Sequence, residues 1–266
     1  MSKQKPAKIL KDVANWWLDI DGTVYCGHEA VPGAAEAIQK MREMAKVTFV
    51  TNVTTHSPET LAKKLVLCKI DCAPEEIYNA GSAAISWIKK KYDADVRLVV
   101  DGTPDFKRQL RDAGLKIVNK KPDLAVIAFN RQGNKIIQDG RVYDPIYRGC
   151  DFIATHDNIN VPTGGGNFMM DTGAILAGIR ASIGKEPLVI CGKPYEAMYE
   201  GLMEHTGEIK GKTAMVGDGA ADMKFANNNK LLSVFVKTGG MTADDMKNKG
   251  VKKLDVVWDS IADFGK

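Results

Sequence analysis

The chain has 266 residues, 44% of them hydrophobic and 26% charged, and a formal net charge of +4. That is enough apolar material for one large domain or two modest ones. The charge is too small to argue for a nucleic-acid partner, and the scattered lysines (Lys89 to Lys91, Lys120-Lys121) read as solvated faces.

The first expected strand, residues 16–19, contains the apolar run Trp16-Trp17-Leu18 and opens into Asp19-Ile20-Asp21-Gly22-Thr23. In extended backbone, positions i and i+2 share a face, so Asp19 and Asp21 project together while Ile20 takes the other side. Gly22 permits a sharp turn, and Thr23 adds a hydroxyl beside the pair. Two adjacent acids suit a nucleophile with its general acid, or a divalent cation; taken alone, the motif is equally a plain turn. An EF-hand is disfavoured, because the twelfth position counted from Asp19 is Ala30 and not Glu.

A helix over 33–45 leads to a strand over 47–51. Its end offers Thr51-Asn52, a hydroxyl and a carboxamide that either bind phosphate oxygens or begin a turn. Helices over 58–67, 82–92, 104–113, 172–183, 195–205, 220–228 and 242–249 then alternate with strands over 97–100, 124–129, 152–155, 188–190, 213–216, 233–236 and 255–257. This alternation predicts an α/β fold: a doubly wound, mainly parallel, Rossmann-like sheet with helices on both faces. Turn formers at Asn79-Ala80-Gly81-Ser82 and Gly184-Lys185-Glu186-Pro187 predict an inserted smaller α/β cap domain, residues 80–185. The core is then residues 1–79 and 186–266.

Two later strand ends carry chemistry. Gly192-Lys193-Pro194 could aim an ammonium at a phosphate, or could be an ordinary solvated loop. In Gly217-Asp218-Gly219-Ala220-Ala221-Asp222, both acids could face one cation, or Asp222 could cap the helix that follows. The same stretch fails as a dinucleotide fingerprint. Its third glycine is missing, Asp218 would repel a pyrophosphate, and residues 233–238 offer no acid for a ribose. Thr163-Gly164-Gly165-Gly166 lacks the Gly-Lys-Ser/Thr of a phosphate-binding loop and predicts a flexible loop.

Five cysteines are odd in number and lack metal-binding spacing, and four histidines (His28, His56, His156, His205) form no ligand pair. The polar, basic start has no secretory core, and no apolar run is long enough to span a bilayer. A soluble, cytoplasmic protein without a membrane partner is expected.

The ordered set Asp-x-Asp, Thr-Asn, Lys and Asp-x-x-x-Asp at four strand ends resembles the haloacid-dehalogenase-like phosphohydrolases. Within them it resembles the NagD-like or 4-nitrophenylphosphatase-like branch with a large α/β cap. The stretches that carry it are 18–25, 49–52, Gly192-Lys193-Pro194 and Gly217-Asp218, with 151–155 and Gly173-Ala174 in the inserted part. The resemblance implies a Mg²⁺-dependent phosphatase that hydrolyses a small-molecule phosphate ester through an aspartyl-phosphate. Asp19 would be the nucleophile and Asp21 the general acid, then base. Thr51 and Lys193 would hold the phosphoryl group, Asn52 would orient the substrate, and Gly22 and Thr23 would complete the binding loop. The ion would be held by Asp19, the backbone carbonyl of Asp21 and Asp218, with Asp222 supporting it or its waters. Residues 167–171, ending in Asp171, are the implied substrate-reading loop.

The chain departs from the family pattern at several positions. It has Thr51-Asn52-Val53 for Thr-Asn-Asn, Gly217-Asp218-Gly219 with Asp222 for Gly-Asp-Arg with a later Thr-Asp, His156-Asp157-Asn158 for Asn-Pro-Asp, and Met170-Asp171-Thr172 where Pro-Gly is usual. Sugar phosphate, nucleotide, phosphoglycolate and pyridoxal phosphate therefore all stay open as substrates, and so does a homodimer. A phosphotransferase or mutase, and a non-catalytic metal-binding protein, are the alternatives on the same scaffold.

Overall fold

The computed structural model describes residues 9–27, 29–130, 140–164, 167–207 and 211–265; the start up to Lys8, His28 and Gly165-Gly166 lie outside them. In chain order come β1 (Val13–Leu18), β2 (Tyr25–Cys26), β3 (Glu29–Ala30), α1 (Ala34–Met44), β4 (Lys46–Thr51), α2 (Pro58–Leu67) and β5 (Ile77–Asn79). Next are α3 (Ala80–Lys91), β6 (Arg97–Asp101), α4 (Pro104–Asp112), β7 (Lys116–Ile117), β8 (Leu124–Ile127), α5 (Tyr143–Tyr147) and β9 (Asp151–Ala154). The remainder is β10 (Asn160–Gly164), β11 (Asn167–Met170), α6 (Thr172–Ile183), α7 (Glu196–Thr206), β12 (Lys212–Gly217), α8 (Ala220–Asn228), β13 (Leu232–Val236), α9 (Ala243–Asn248) and β14 (Val256–Trp258). Two compact units result: Met1–Thr51, Pro58–Tyr78 and Leu202–Lys266 form the first, Asn52–Ser57 and Asn79–Gly201 the second.

The first unit is built on a six-stranded sheet of order β14-β13-β12-β1-β4-β5. The pairs β14·β13, β13·β12, β12·β1 and β1·β4 are parallel. A central strand of such a sheet is covered on both faces, which is why β1 reads as an apolar run rather than an alternating one. Trp16, Trp17 and Leu18 are all buried; Trp16 meets Phe264 edge-on at 5.1 Å between ring centroids, and Trp17 lies 6.0 Å from Phe225. From β1 the chain steps outward through β4 to β5, then returns to the other side of β1 for β12, β13 and β14. The strand order therefore reverses between β1 and β12, and such a switch point is where parallel sheets bind ligands.

The second unit has a four-stranded parallel sheet, β7-β6-β8-β9. Leu124 to Ile127 of β8 are wholly buried, and Ile175, Leu176 and Ile179 of α6 pack on the cluster containing Ala125, Ile127 and Phe152. The fold is thus α/β, a doubly wound parallel sheet with a second, smaller α/β layer. No helix among the described residues is long and apolar enough to cross a membrane.

Two local expectations are corrected. Residues 188–190 do not form a regular strand: only Ile190 makes a bridge, to Ala154, although Leu188 N donates to Phe152 O at 2.8 Å. Pro187, which has no N–H, precedes the run, and Gly192 and Pro194 follow closely, so pairing extends over too few residues. Of the segment expected as a flexible loop, Thr163 and Gly164 instead end β10, which runs antiparallel to β11 with Asn160 paired to Met170 and Pro162 to Phe168, while Gly165-Gly166 lie outside the described residues. Proline fits there because each strand of a two-stranded ribbon has an open edge.

Candidate active site

In the first unit the sheet register sets the site. Leu18 is level with Val216 of β12 and with Phe49 of β4, so Asp19, Asp218 and Thr51 leave the sheet at the same carboxyl edge. Asp19 N donates to Val216 O at 2.9 Å, which prolongs the ladder by one residue and fixes the Asp19 backbone. One ligand oxygen from each of Asp19, Asp218 and Asp222 lies within 4.8 Å of the others, making one acidic cluster. Asp19 and Asp222 are buried and Asp218 is half-buried. At that spacing, with an effective dielectric of about 20, each ionised pair repels by roughly 3 kcal/mol or more. Such a cluster can hold a cation, and three carboxylates are the hard oxygen donors a divalent ion such as Mg²⁺ takes.

Glycines make room for these acids. Gly22 has φ +81°, the left-handed region that favours glycine, and a Cβ there would run into the Asp218 carboxylate. A Cβ on Gly239 would meet the same carboxylate, and one on Gly217 would meet Asp222. Asp222 does two things that sequence could not separate. It joins the cluster, and its Oδ2 accepts from Gly219 N at 3.0 Å, capping α8.

Asp21 stands apart from the three-acid cluster. Exposed on the turn after β1, its carboxylate accepts from the hydroxyl of Tyr25 at 3.4 Å. Burial, then the charges of Asp21 and Asp19, push the Tyr25 phenol up, so at neutral pH it is protonated and donates. Thr23 is fully buried, and its hydroxyl has no hydrogen-bond partner among the described residues.

In the second unit, Asn52 and Lys193 form a node. Asn52 Nδ2 donates to Lys193 O at 3.0 Å, and Lys193 N donates back to Asn52 Oδ1 at 2.7 Å. The carboxamide thus imitates a strand partner and pins the lysine backbone. Lys193 itself is only 2% exposed. Gly192 is required by this packing, since a Cβ would lie 2.6 Å from Asn52 Oδ1 and 2.7 Å from Thr155 O.

Asp171 is placed at the base of the β10–β11 ribbon, not on its exposed part. It is buried, caps α6 through Thr172 N, and accepts from His156 Nε2 at 2.9 Å, while His156 Nδ1 meets Thr155 Oγ1 at 3.0 Å. Burial alone would raise the Asp171 carboxyl, but the hydrogen bonds and charge of His156 and the donors of Thr172 outweigh it and hold it below the usual range. No motif signals this His156–Asp171 pair, because the partners lie 15 positions apart. Tyr25 was also missed as a partner of Asp21. The signal was there in a tyrosine four positions after an acid across a Gly-containing turn.

An acid cluster at the switch point of a doubly wound sheet sets hard oxygen donors where such sheets take their ligands. Two family models match the chain, one described as haloacid dehalogenase-like hydrolase over residues 16–116 and one as HAD-hydrolase-like over residues 190–264. The chain belongs to the haloacid-dehalogenase-like hydrolases, in the branch of NagD and the 4-nitrophenylphosphatases. It is 29% identical over 249 residues to an acid sugar phosphatase of Staphylococcus aureus (strain MRSA252), covering 91% of this chain and 93% of the relative. Among solved structures, a 4-nitrophenylphosphatase of Thermotoga maritima superposes with TM-score 0.86 at 28% identity, over 94% of this chain and 95% of that one. NagD of E. coli shares the fold, with TM-score 0.81 at 24% identity over 94% and 98% of the two chains.

Proposed function

We propose that this chain is a Mg²⁺-dependent phosphatase that hydrolyses a small phosphomonoester through an aspartyl-phosphate on Asp19. The observation that carries the reading is the Asp19–Asp218–Asp222 cluster at the carboxyl edge of the parallel sheet, with Asp21 two residues after Asp19. The names of similar proteins, acid sugar phosphatase and 4-nitrophenylphosphatase, support phosphoric monoester hydrolysis.

In the first step an Asp19 oxygen attacks phosphorus as the bond to the leaving oxygen breaks, and Asp21 gives that oxygen a proton. In the second step water attacks the same phosphorus while Asp21 takes its proton. The Asp19–phosphorus bond breaks and inorganic phosphate leaves. The Thr51 hydroxyl and the Lys193 ammonium hold phosphoryl oxygens, and Asn52 acts through the Lys193 backbone that it pins. Asp19, Asp218 and Asp222, with the Asp21 carbonyl, would hold Mg²⁺, which when bound offsets the charge of the phosphoryl group. Gly22 supplies the turn that brings Asp21 into place. In this reading residues 1–79 and 186–266 are the catalytic core and residues 80–185 are the cap.

The test is hydrolysis of 4-nitrophenyl phosphate by the purified chain. Turnover should require Mg²⁺, stop with chelator and return when the ion is restored. Asp19→Asn should lower it by about a thousand-fold or more, since no covalent intermediate can form. Undiminished turnover in Asp19→Asn would overturn the assignment.

A further inference from the structure

Asp21 is an exposed carboxylate on a turn, and a general acid must keep the alignment on which proton transfer depends. Its hydrogen-bond donor Tyr25 is the opposite, a phenol whose residue is 1% exposed. Backbone pairing brings the two together: Asp21 bridges to Tyr25, Gly22 N donates to Tyr25 O at 2.7 Å, and Tyr25 N donates to Ile20 O at 3.3 Å. The ring is held from its face by Lys64 of α2, whose Nζ lies 3.8 Å from the ring centroid, within cation–π range. β2 pairs Tyr25 with Ala30 of β3, which fixes the strand that carries it. A hydroxyl on a fixed ring is a fixed donor.

We propose that Tyr25, clamped by Lys64, is a positioning residue that orients the Asp21 carboxyl toward the leaving oxygen. The proposal rests on the reading of Asp21 as the general acid. The hydrogen bond at 3.4 Å is long for O–H···O, as such bonds often are before substrate is bound.

A leaving group that needs no proton tests this directly. 4-Nitrophenolate departs readily without an acid, whereas phenolate, nearly the same shape, gains more from one. The measured quantity is kcat/KM, because it reports the steps up to formation of the aspartyl-phosphate and excludes the later hydrolysis common to both substrates. Tyr25→Phe keeps the ring and its contact with Lys64 but removes the donor. It should lower kcat/KM for phenyl phosphate about ten-fold more than for 4-nitrophenyl phosphate. Because both substrates are measured on one preparation, the ratio is unaffected by any inactive fraction, so imperfect folding of the variant does not blur the result. Asp21→Asn should show the same selectivity, more strongly. The double variant Asp21→Asn, Tyr25→Phe should be no worse than Asp21→Asn, since a positioning residue has nothing left to position.

Equal losses on both substrates in Tyr25→Phe, or losses that multiply in the double variant, would overturn the positioning role while leaving Asp21 as the acid. Absence of leaving-group selectivity in Asp21→Asn would instead remove the acid assignment, and the role of Tyr25 with it. The two failures are separable because Asp21→Asn is measured alone.

Discussion

Glycine decides the geometry of the acids as much as the acids do. At Gly22 two constraints coincide, a left-handed φ of +81° and a Cβ position already occupied by the Asp218 carboxylate. Gly22→Ala should therefore cost about 1–3 kcal/mol of stability, read as a drop of several degrees in melting temperature. It should also raise the Mg²⁺ concentration for half-maximal turnover, because the displaced carboxylate belongs to the acidic cluster. A variant with wild-type melting and wild-type metal dependence would contradict this account. Substitution at Gly27, where a Cβ would meet nothing within 4 Å despite φ of +64°, carries only the backbone strain and serves as the control.

At the scale of elements, the base of the β10–β11 ribbon makes a pH prediction. Asp171 is held below the ordinary carboxylate value in the folded state, so its ionised form is stabilised there relative to the unfolded chain. The stability it contributes is fully present above the unfolded value, about 3.9, and is lost as pH falls through the lower folded value. Asp171→Asn keeps a helix cap of similar quality and removes the charge. Its melting temperature should lie below wild type at neutral pH, and the difference should narrow on acidification below about pH 4. A constant difference across that window would show that the charge is not what matters.

Much of this element scale was legible in the sequence. Helices at Pro58–Leu67, Thr172–Ile183 and Ala220–Asn228 fall where the pattern put them, each announced by a proline or a turn-forming residue at its start. The Asp19, Thr51 and Asp218 strand ends were readable because apolar runs stop there at polar groups. The β10–β11 ribbon was not, since Pro162 and Gly164 are turn formers by local preference and only their cross-strand pairing makes them part of a ribbon. The short strands β2, β3, β5 and β7 were missed for the same reason: two or three residues carry no periodicity. Sequence alone does not divide Asp222 between capping and metal binding, and its position allows both.

For the molecule as a whole, the proposed ion site would couple folding to the ion. Three carboxylates held together only in the native chain would bind Mg²⁺ in the folded state in preference to the unfolded one. At a hundred-fold excess over its dissociation constant the ion should add about 2.7 kcal/mol, visible as a rise in melting temperature that chelator reverses. Asp218→Asn should remove most of that increment, and an undiminished increment would place the ion elsewhere.

The order in which a ribosome delivers this sheet differs from the order in which its strands lie. Asn15 of β1 bonds across to Thr213 of β12, 198 positions later. Between the two, the long segment Asn79–Gly201 must be synthesised. Until β12 emerges, Trp16, Trp17 and Leu18 belong to a nascent strand with one edge unpaired and no neighbour on that side, the type of surface that chaperones engage and that stalled chains aggregate through. Products of early termination should therefore be insoluble wherever they end before residue 212.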